Sequence, residues 1–295
     1  MEAIIKKYKI ENRKGSSPKS RGALSKTAIH TLLGLWSLLT IFPMLWVLNN
    51  SFKDRTIILK DSFSLTNAST FTFENYITAF SRMNIARAYL NSFIISSTVV
   101  IGVMCFGGLA AYILARYKFR GRNFIYGALI SAVLFPAFAT IVPVFMGLYQ
   151  LDLVNKHLGV ILPQIAGNLP FAIIIMVGFM ESIPLELEEA AVVEGSGPFQ
   201  IFTKIVVPIS KPSFATVAIF TFLWSYNDLF MQMIIIRKNE YLPVSALLNK
   251  ISSEYGTDYG LMNAAVTLVV IPVFIVYLFL QKHIIKGLTA GAVKG

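Results

Sequence analysis

The residues of this sequence with the most chemistry in them are gathered in one loop, Glu181 to Pro212, reading ESIPLELEEAAVVEGSGPFQIFTKIVVPISKP. Pro184 suits the opening of a helix, and Glu186, Glu188 and Glu189 fall in its first turns, where the helix dipole favours acids. Leu185, Glu189 and Val192 share one face, while Ala190 and Ala191 keep part of the surface slim. Gly195-Ser196-Gly197-Pro198 should break the helix. A second short helix, Phe199 to Val206, should end before Pro208. The expected product is a bent helical hairpin whose small-residue patch lets a partner's backbone approach closely. An ordinary amphipathic connector is the plainer alternative.

Other chemistries find no support. There is no G-x-x-x-x-G-K-[ST] phosphate loop, so the chain should not hydrolyse ATP. His30, His157 and His283 are far apart and lack metal-ligand spacing. Gly195-Ser196-Gly197 is not a nucleophile elbow. The single Cys105 forms no internal bridge. No catalytic residue, resident cofactor or metal site is expected.

The elements that must carry the loop follow from composition. Of 295 residues, 55% are hydrophobic and only 14% charged, and the mean hydropathy is +0.65. Soluble domains average about 25% charged residues. A polytopic membrane protein remains. Six stretches are long and apolar enough for a membrane-spanning helix: Thr27 to Leu48, Leu90 to Ala115, Asn123 to Leu151, His157 to Met180, Pro212 to Ile236, and Tyr259 to Gln281. The first run is too long for a signal-peptide core and should remain as the first span. The expected fold class is all-α, with six transmembrane helices. Its parts are a basic N-terminus (1–26), the first span (27–48), an outer loop (49–89), a core (90–282) holding the 181–212 loop, and a tail (283–295).

The net charge of +11 lies between apolar runs, so it reports orientation rather than nucleic-acid binding. With six spans, 17 of the 26 Lys and Arg residues fall on the side that holds both termini and the 181–212 loop. That side is therefore read as cytoplasmic, in a cell membrane. RYKFRGR, Arg116 to Arg122, is the strongest local indication. The outer loop 49–89 has a Ser/Thr/Asn-rich middle, and Phe73 to Tyr89 could form an interfacial helix. A second outer loop runs from Arg237 to Asp258.

Asp228 is the one charge within the spans. An intramembrane carboxylate is a functional-site hypothesis by default. Counted from Pro212 at 1.5 Å per residue, it lies roughly 24 Å along its helix, near the outer end. With Tyr226 and Asn227 it is a candidate for a translocation path or gate; a paired interfacial carboxylate is the alternative. Pro43, Pro136, Pro143, Pro163, Pro170 and Pro272 could each kink a span. Gly102, Gly107, Gly108, Ala110 and Ala111 make the second span slim, which suits close packing.

The loop also resembles the "EAA" signature of binding-protein-dependent ABC importer permeases: E-A-A, two residues, D-G, a spacer and I-x-L-P. Here it reads Glu189-Ala190-Ala191, Val192, Val193, Glu194-Gly195, and later Ile205-Val206-Val207-Pro208. Glu194 stands for the usual Asp and Val207 for Leu. Phe73-Glu74-Asn75-Tyr76, Asn91-Ser92-Phe93 and the ending Gly287 to Gly295 are similar to the maltose-type sugar permease subunit with six spans.

The resemblance implies a type-1 ABC permease fold. It implies a sister permease, two ATPase subunits that bind ATP and Mg, and an extracytoplasmic solute-binding protein. It also makes Glu189, Ala190, Ala191, Glu194, Gly195, Ile205 and Pro208 the ATPase-coupling residues. Ala292, Val293, Lys294 and Gly295 would be a tail reaching the ATPases. Tyr241, Tyr255 and Tyr259 would touch the solute-binding protein. The implied cargo is a sugar or oligosaccharide. An ion-gradient-driven secondary transporter and a membrane-embedded sensor or scaffold are the rival readings; the former predicts inverted repeats, and no repeat is found.

Overall fold

The computed structural model describes the backbone of residues 19–255 and 258–292, and the side chains of most residues between 26 and 278. The described residues are almost wholly helical, with a lone antiparallel bridge between Lys53 and Phe71. The chain divides into two units, 1–49 and 50–295.

The first unit holds α1, Lys19–Ser51, which runs two residues past the division. Its apolar stretch is long enough to cross a membrane. Three of its described hydroxyls bond back within the helix: Thr31, Ser37 and Thr40 donate to the carbonyls of Thr27, Leu33 and Trp36, at 3.0, 2.8 and 2.8 Å. Such back-bonding lets polar side chains sit in a helix surrounded by lipid.

The second unit opens with two short helices, α2 (Arg55–Lys60) and α3 (Glu74–Met83). Between them the Ser/Thr/Asn-rich segment folds around Asn67, whose Oδ1 accepts from the amides of Ser69 and Thr70, each at 3.1 Å. Phe52, Phe71, Phe73 and Tyr76 form an aromatic cluster beneath it. The expected interfacial helix is thus α3, but it stops at Asn84, which is left-handed at φ 49°. The second span begins there, earlier than its apolar pattern suggests.

That span is α4, Ile85–Arg116. There follow α5 (Arg122–Leu134), α6 (Ile141–Gln150) and α7 (His157–Met180). The loop contributes α8 (Glu186–Val193) and α9 (Pro198–Ile209). Beyond it lie α10 (Lys211–Asn227), α11 (Leu229–Ile235), α12 (Val244–Tyr255) and α13 (Tyr259–Ala292).

Among the described residues three helices, α1, α4 and α7, are long and apolar enough to span a membrane unbroken, and two bent pairs raise the candidates to five. Within α13, the described stretch Tyr259–Ile275 is apolar as well. The third stretch is therefore not one straight helix, as its hydropathy suggested. It breaks at Phe135-Pro136, and the two halves meet at 97°. Proline lacks an N–H and keeps the preceding residue extended, so the helix ends there. By contrast Pro163, Pro170 and Pro272 stay inside continuous helices.

Helix α4 is the centre of the second unit, packed on α7, α10 and α12. The slim face explains how. A Cβ on Gly102 would stand 2.4 Å from Ile165 Cδ1, and one on Gly108 2.9 Å from Phe214 Cζ. Glycine lets the helices approach to backbone distance, where many weak contacts add up. Val99, Val103, Ala111, Met176 and Val206 lie in the core this creates.

Candidate functional site

The Glu181–Pro212 loop folds as the bent helical hairpin its sequence calls for. Helix α8 ends in a Schellman motif: the Ser196 amide donates to the Ala191 carbonyl and the Gly195 amide to the Val192 carbonyl, both at 2.9 Å. Gly195 occupies the left-handed position at φ 83°, where a side chain would be strained. The second limb differs from expectation. It does not end before Pro208 but continues to Ile209. Phe202–Val206 form a π turn in which the Val207 amide donates to the Phe202 carbonyl. The widened turn accommodates the proline ring, which would otherwise clash one turn earlier.

Burial separates the loop's residues into two sets. Glu189, Ala190, Glu194 and Gly195 are exposed, and so are Leu185, Val192 and Val193, the last at 89%. Ala191 is buried against the protein's own core, Ile205 is half-buried, and Pro208 is exposed. The small size of Ala191 therefore serves internal packing, while Ala190 keeps the outer surface low.

The loop is fastened by a buried ion pair. Arg116 Nε, at the end of α4, donates to Glu188 Oε1 at 2.5 Å, and the two side chains are 6% and 9% exposed. Tyr112 donates its hydroxyl to Glu188 Oε2 at 3.2 Å, and Arg116 Nη2 donates to the Ile183 carbonyl at 3.0 Å. A more exposed pair, Arg122 Nη2 to Glu181 Oε1 at 2.9 Å, holds the loop's entry. Two carbonyl or carboxylate partners for one guanidinium are what its planar fork is suited to.

At the far ends of α7 and α10 lies a second polar assembly. Asp228 interrupts the fifth stretch: α10 stops at Asn227, and Asp228 caps α11 by accepting from the Met231 amide at 3.1 Å. Its other oxygen accepts from Gln164 Nε2 at 2.8 Å. Gln164 Oε1 in turn accepts from Ser225 Oγ at 2.6 Å, and Gln232 Nε2 donates to the Ser225 carbonyl at 2.6 Å. Gln232 Oε1 accepts from Ser245. The chain of bonds joins α7, α10, α11 and α12. Asp228 is thus paired, and it explains why the fifth stretch is two helices rather than one.

Comparison with known proteins decides the family. Residues 104–290 match the model of the binding-protein-dependent transport system inner membrane component. The chain is 36% identical, over 96% of its length and 92% of the relative's, to the diacetylchitobiose uptake system permease protein of Streptomyces coelicolor.

This chain belongs to that family of permeases.

The permease is also 33% identical to the trehalose transport system permease of Mycobacterium tuberculosis, over 86% of this chain and 93% of that one. It is 31% identical to the arabinooligosaccharides transport system permease of Halalkalibacterium halodurans, over 87% of this chain and 92% of that one. In fold it matches a chain of a bacterial ABC transporter involved in the import of the acidic polysaccharide alginate. The TM-score is 0.76 at 24% identity, covering 91% of this chain and 98% of that one. The type-1 fold expected from the sequence is thereby established, and the family match and the relatives make the chain a membrane permease of the ABC class.

The remaining predicted residues fall in several places. Tyr226 is buried and, with Tyr89, Phe93, Phe222 and Pro272, lines an apolar cavity of about 290 Å³. Asn227 is exposed, and its amide donates back to the Leu223 carbonyl at 2.8 Å. Tyr241 stands edge-on to His157, with ring centroids 5.4 Å apart. It also lines a cleft of about 620 Å³ with Tyr149, Asp152, Asn155, Lys156 and Lys238. In that cleft Lys156 donates to Asp152 at 2.7 Å and holds its carboxyl below the usual range. Tyr259 is exposed at the start of α13. The side chains of Tyr255 and Ala292, and all of Val293, Lys294 and Gly295, lie outside the described residues.

Sequence reasoning missed four residues: Tyr112, Arg116, Glu188 and Gln164. Arg116 counts toward topology and Glu188 toward the helix dipole, and nothing in their spacing says that they meet. Gln164 carried the clearer signal, because an amide in an apolar span needs a partner.

Proposed function

We propose that this permease imports a carbohydrate, as one of two permease subunits working with two ATPase subunits and an extracytoplasmic solute-binding protein. The single observation that carries the proposal is the exposed bend of α8, with Glu189, Ala190, Glu194 and Gly195 on the surface of a loop otherwise rooted in the core. A low, glycine-capped bend with an outward acid fits a cleft in a partner. The relatives named for diacetylchitobiose, trehalose and arabinooligosaccharides support the cargo class.

In this reading both termini and the loop face the cytoplasm. ATP and Mg bind the partner ATPases, so this chain performs no catalysis. Closure of the ATPases carries the docked loop with it, and the spans switch from inward-facing to outward-facing. Tyr226, Asn227 and Asp228 lie along or beside the path. Tyr241, Tyr255 and Tyr259 face the solute-binding protein, and the tail Ala292 to Gly295 reaches the ATPases.

The test is a gentle pull-down of the tagged chain from its native membranes, with mass spectrometry of what accompanies it. Recovery of a P-loop ATPase and a second EAA-bearing permease is expected. Recovery of the chain alone, or only as a homo-oligomer, would overturn the proposal.

A further inference from the structure

We propose that Glu188, Arg116 and Tyr112 form a strut that makes the docking helix α8 and the central span α4 move as one body during transport. The inference rests on the importer reading above. It concerns how force leaves the loop, which docking alone does not specify.

Chain connectivity ties α8 to α7 on one side and, through α9, to α10 on the other. Neither link joins α8 directly to α4. The ion pair does: its side chains are 6% and 9% exposed, its contact is 2.5 Å, and the Tyr112 hydroxyl takes the second carboxylate oxygen. The same guanidinium holds the Ile183 carbonyl in the segment leading into α8. Tyr112 also packs against Phe202 of α9, ring centroids 5.2 Å apart, so both limbs of the hairpin meet one residue of α4. Helix α4 is in turn the element on which α7, α10 and α12 pack.

A buried pair of charges is a poor way to gain stability, because desolvation offsets much of the attraction and apolar side chains would hold the helices as well. What it adds is fixed register, since a short, forked contact resists sliding in a way that apolar surfaces do not. Arg116 and Glu188 are therefore positioning residues, which transmit motion without touching cargo or nucleotide.

The experiment uses the complete transporter in lipid vesicles, with wild type as the control. Radiolabelled N,N′-diacetylchitobiose, trehalose and an arabinooligosaccharide are offered, and the sugar imported per ATP hydrolysed is recorded. Import of none of the three by wild type would count against the cargo reading and leave the strut to the distance measurement below. The double variant R116M/E188L keeps the volume and removes the charges. It should assemble and hydrolyse ATP within about threefold of wild type while importing at least tenfold less sugar per ATP. The exchange R116E/E188R should recover part of the loss. Sugar per ATP within twofold of wild type in R116M/E188L would overturn the proposal.

A second measurement leaves the pair intact and does not depend on that variant folding or on the cargo. Spin labels on Glu186→Cys and Ile113→Cys, in a Cys105→Ser background, report the distance from α8 to the last turn of α4. It should hold within about 2 Å between the nucleotide-free and ATP-trapped complexes, and a change of about 5 Å, one helical turn, would contradict a rigid strut.

Discussion

At the residue scale, the two buried polar assemblies differ in what a single change removes. Glu188→Ala leaves the Arg116 guanidinium buried without its carboxylate, which should cost about 3–5 kcal/mol and sharply lower the yield of folded protein. Its neighbour Glu189 is exposed, so Glu189→Ala should stay within about 0.5 kcal/mol of wild type. Thermal unfolding of the detergent-purified chain distinguishes the two. If Glu189→Ala proved the more damaging, the burial pattern of α8 would be wrong.

Asp228 permits a finer comparison, because its two oxygens do different work. One caps α11 and the other takes Gln164. Asp228→Ala loses both bonds and should destabilise by about 1–2 kcal/mol. Asp228→Asn has one carbonyl oxygen left and should fall between Ala and wild type. Equal stability of all three in the same unfolding assay would show that the break in the fifth stretch does not depend on the carboxylate.

At the element scale, the bend of the hairpin depends on Gly195 at φ 83°. Asn tolerates the left-handed region, so Gly195→Asn should keep near-normal transport. Gly195→Glu adds strain of about 1 kcal/mol and a charged side chain at the low point of the bend. It should abolish uptake at normal expression while the uncoupled ATPase continues to turn over. Normal uptake by the Glu variant would sink the docking role of the bend. Gly159 is the matching test of packing: a Cβ there would lie 2.2 Å from the Leu153 carbonyl oxygen. Gly159→Ala must therefore shift the chain entering α7, and reduced thermal stability is expected.

These elements also mark what could be read in advance. Hydropathy alone marked where the long apolar helices α1, α4 and α7 lie, because lipid demands long apolar helices and little else. The hairpin's bend was legible because Gly-Ser-Gly-Pro is local chemistry. The break at Pro136 and the continuation through Pro208 were not, since whether a proline ends a helix depends on whether the turn before it can widen. Arg116–Glu188 and Gln164–Asp228 are 72 and 64 residues apart. No periodicity encodes such meetings; they arise only where α4 meets the loop helix α8 and where α7 meets the junction of α10 and α11.

At the scale of the whole molecule, the second unit joins a packed core to the exposed bend of α8, which is the arrangement expected of a part that is moved by another protein. On the proposed function, import by this chain is driven by ATP hydrolysed in partners docked at that bend. The most direct measurement is uptake of labelled saccharide into vesicles holding the complete complex, with and without ATP, for wild type and Gly195→Glu side by side. The account predicts uptake by wild type that requires both ATP and the solute-binding protein, and none by the variant. Uptake by this chain alone, driven by an ion gradient without ATP, would contradict it.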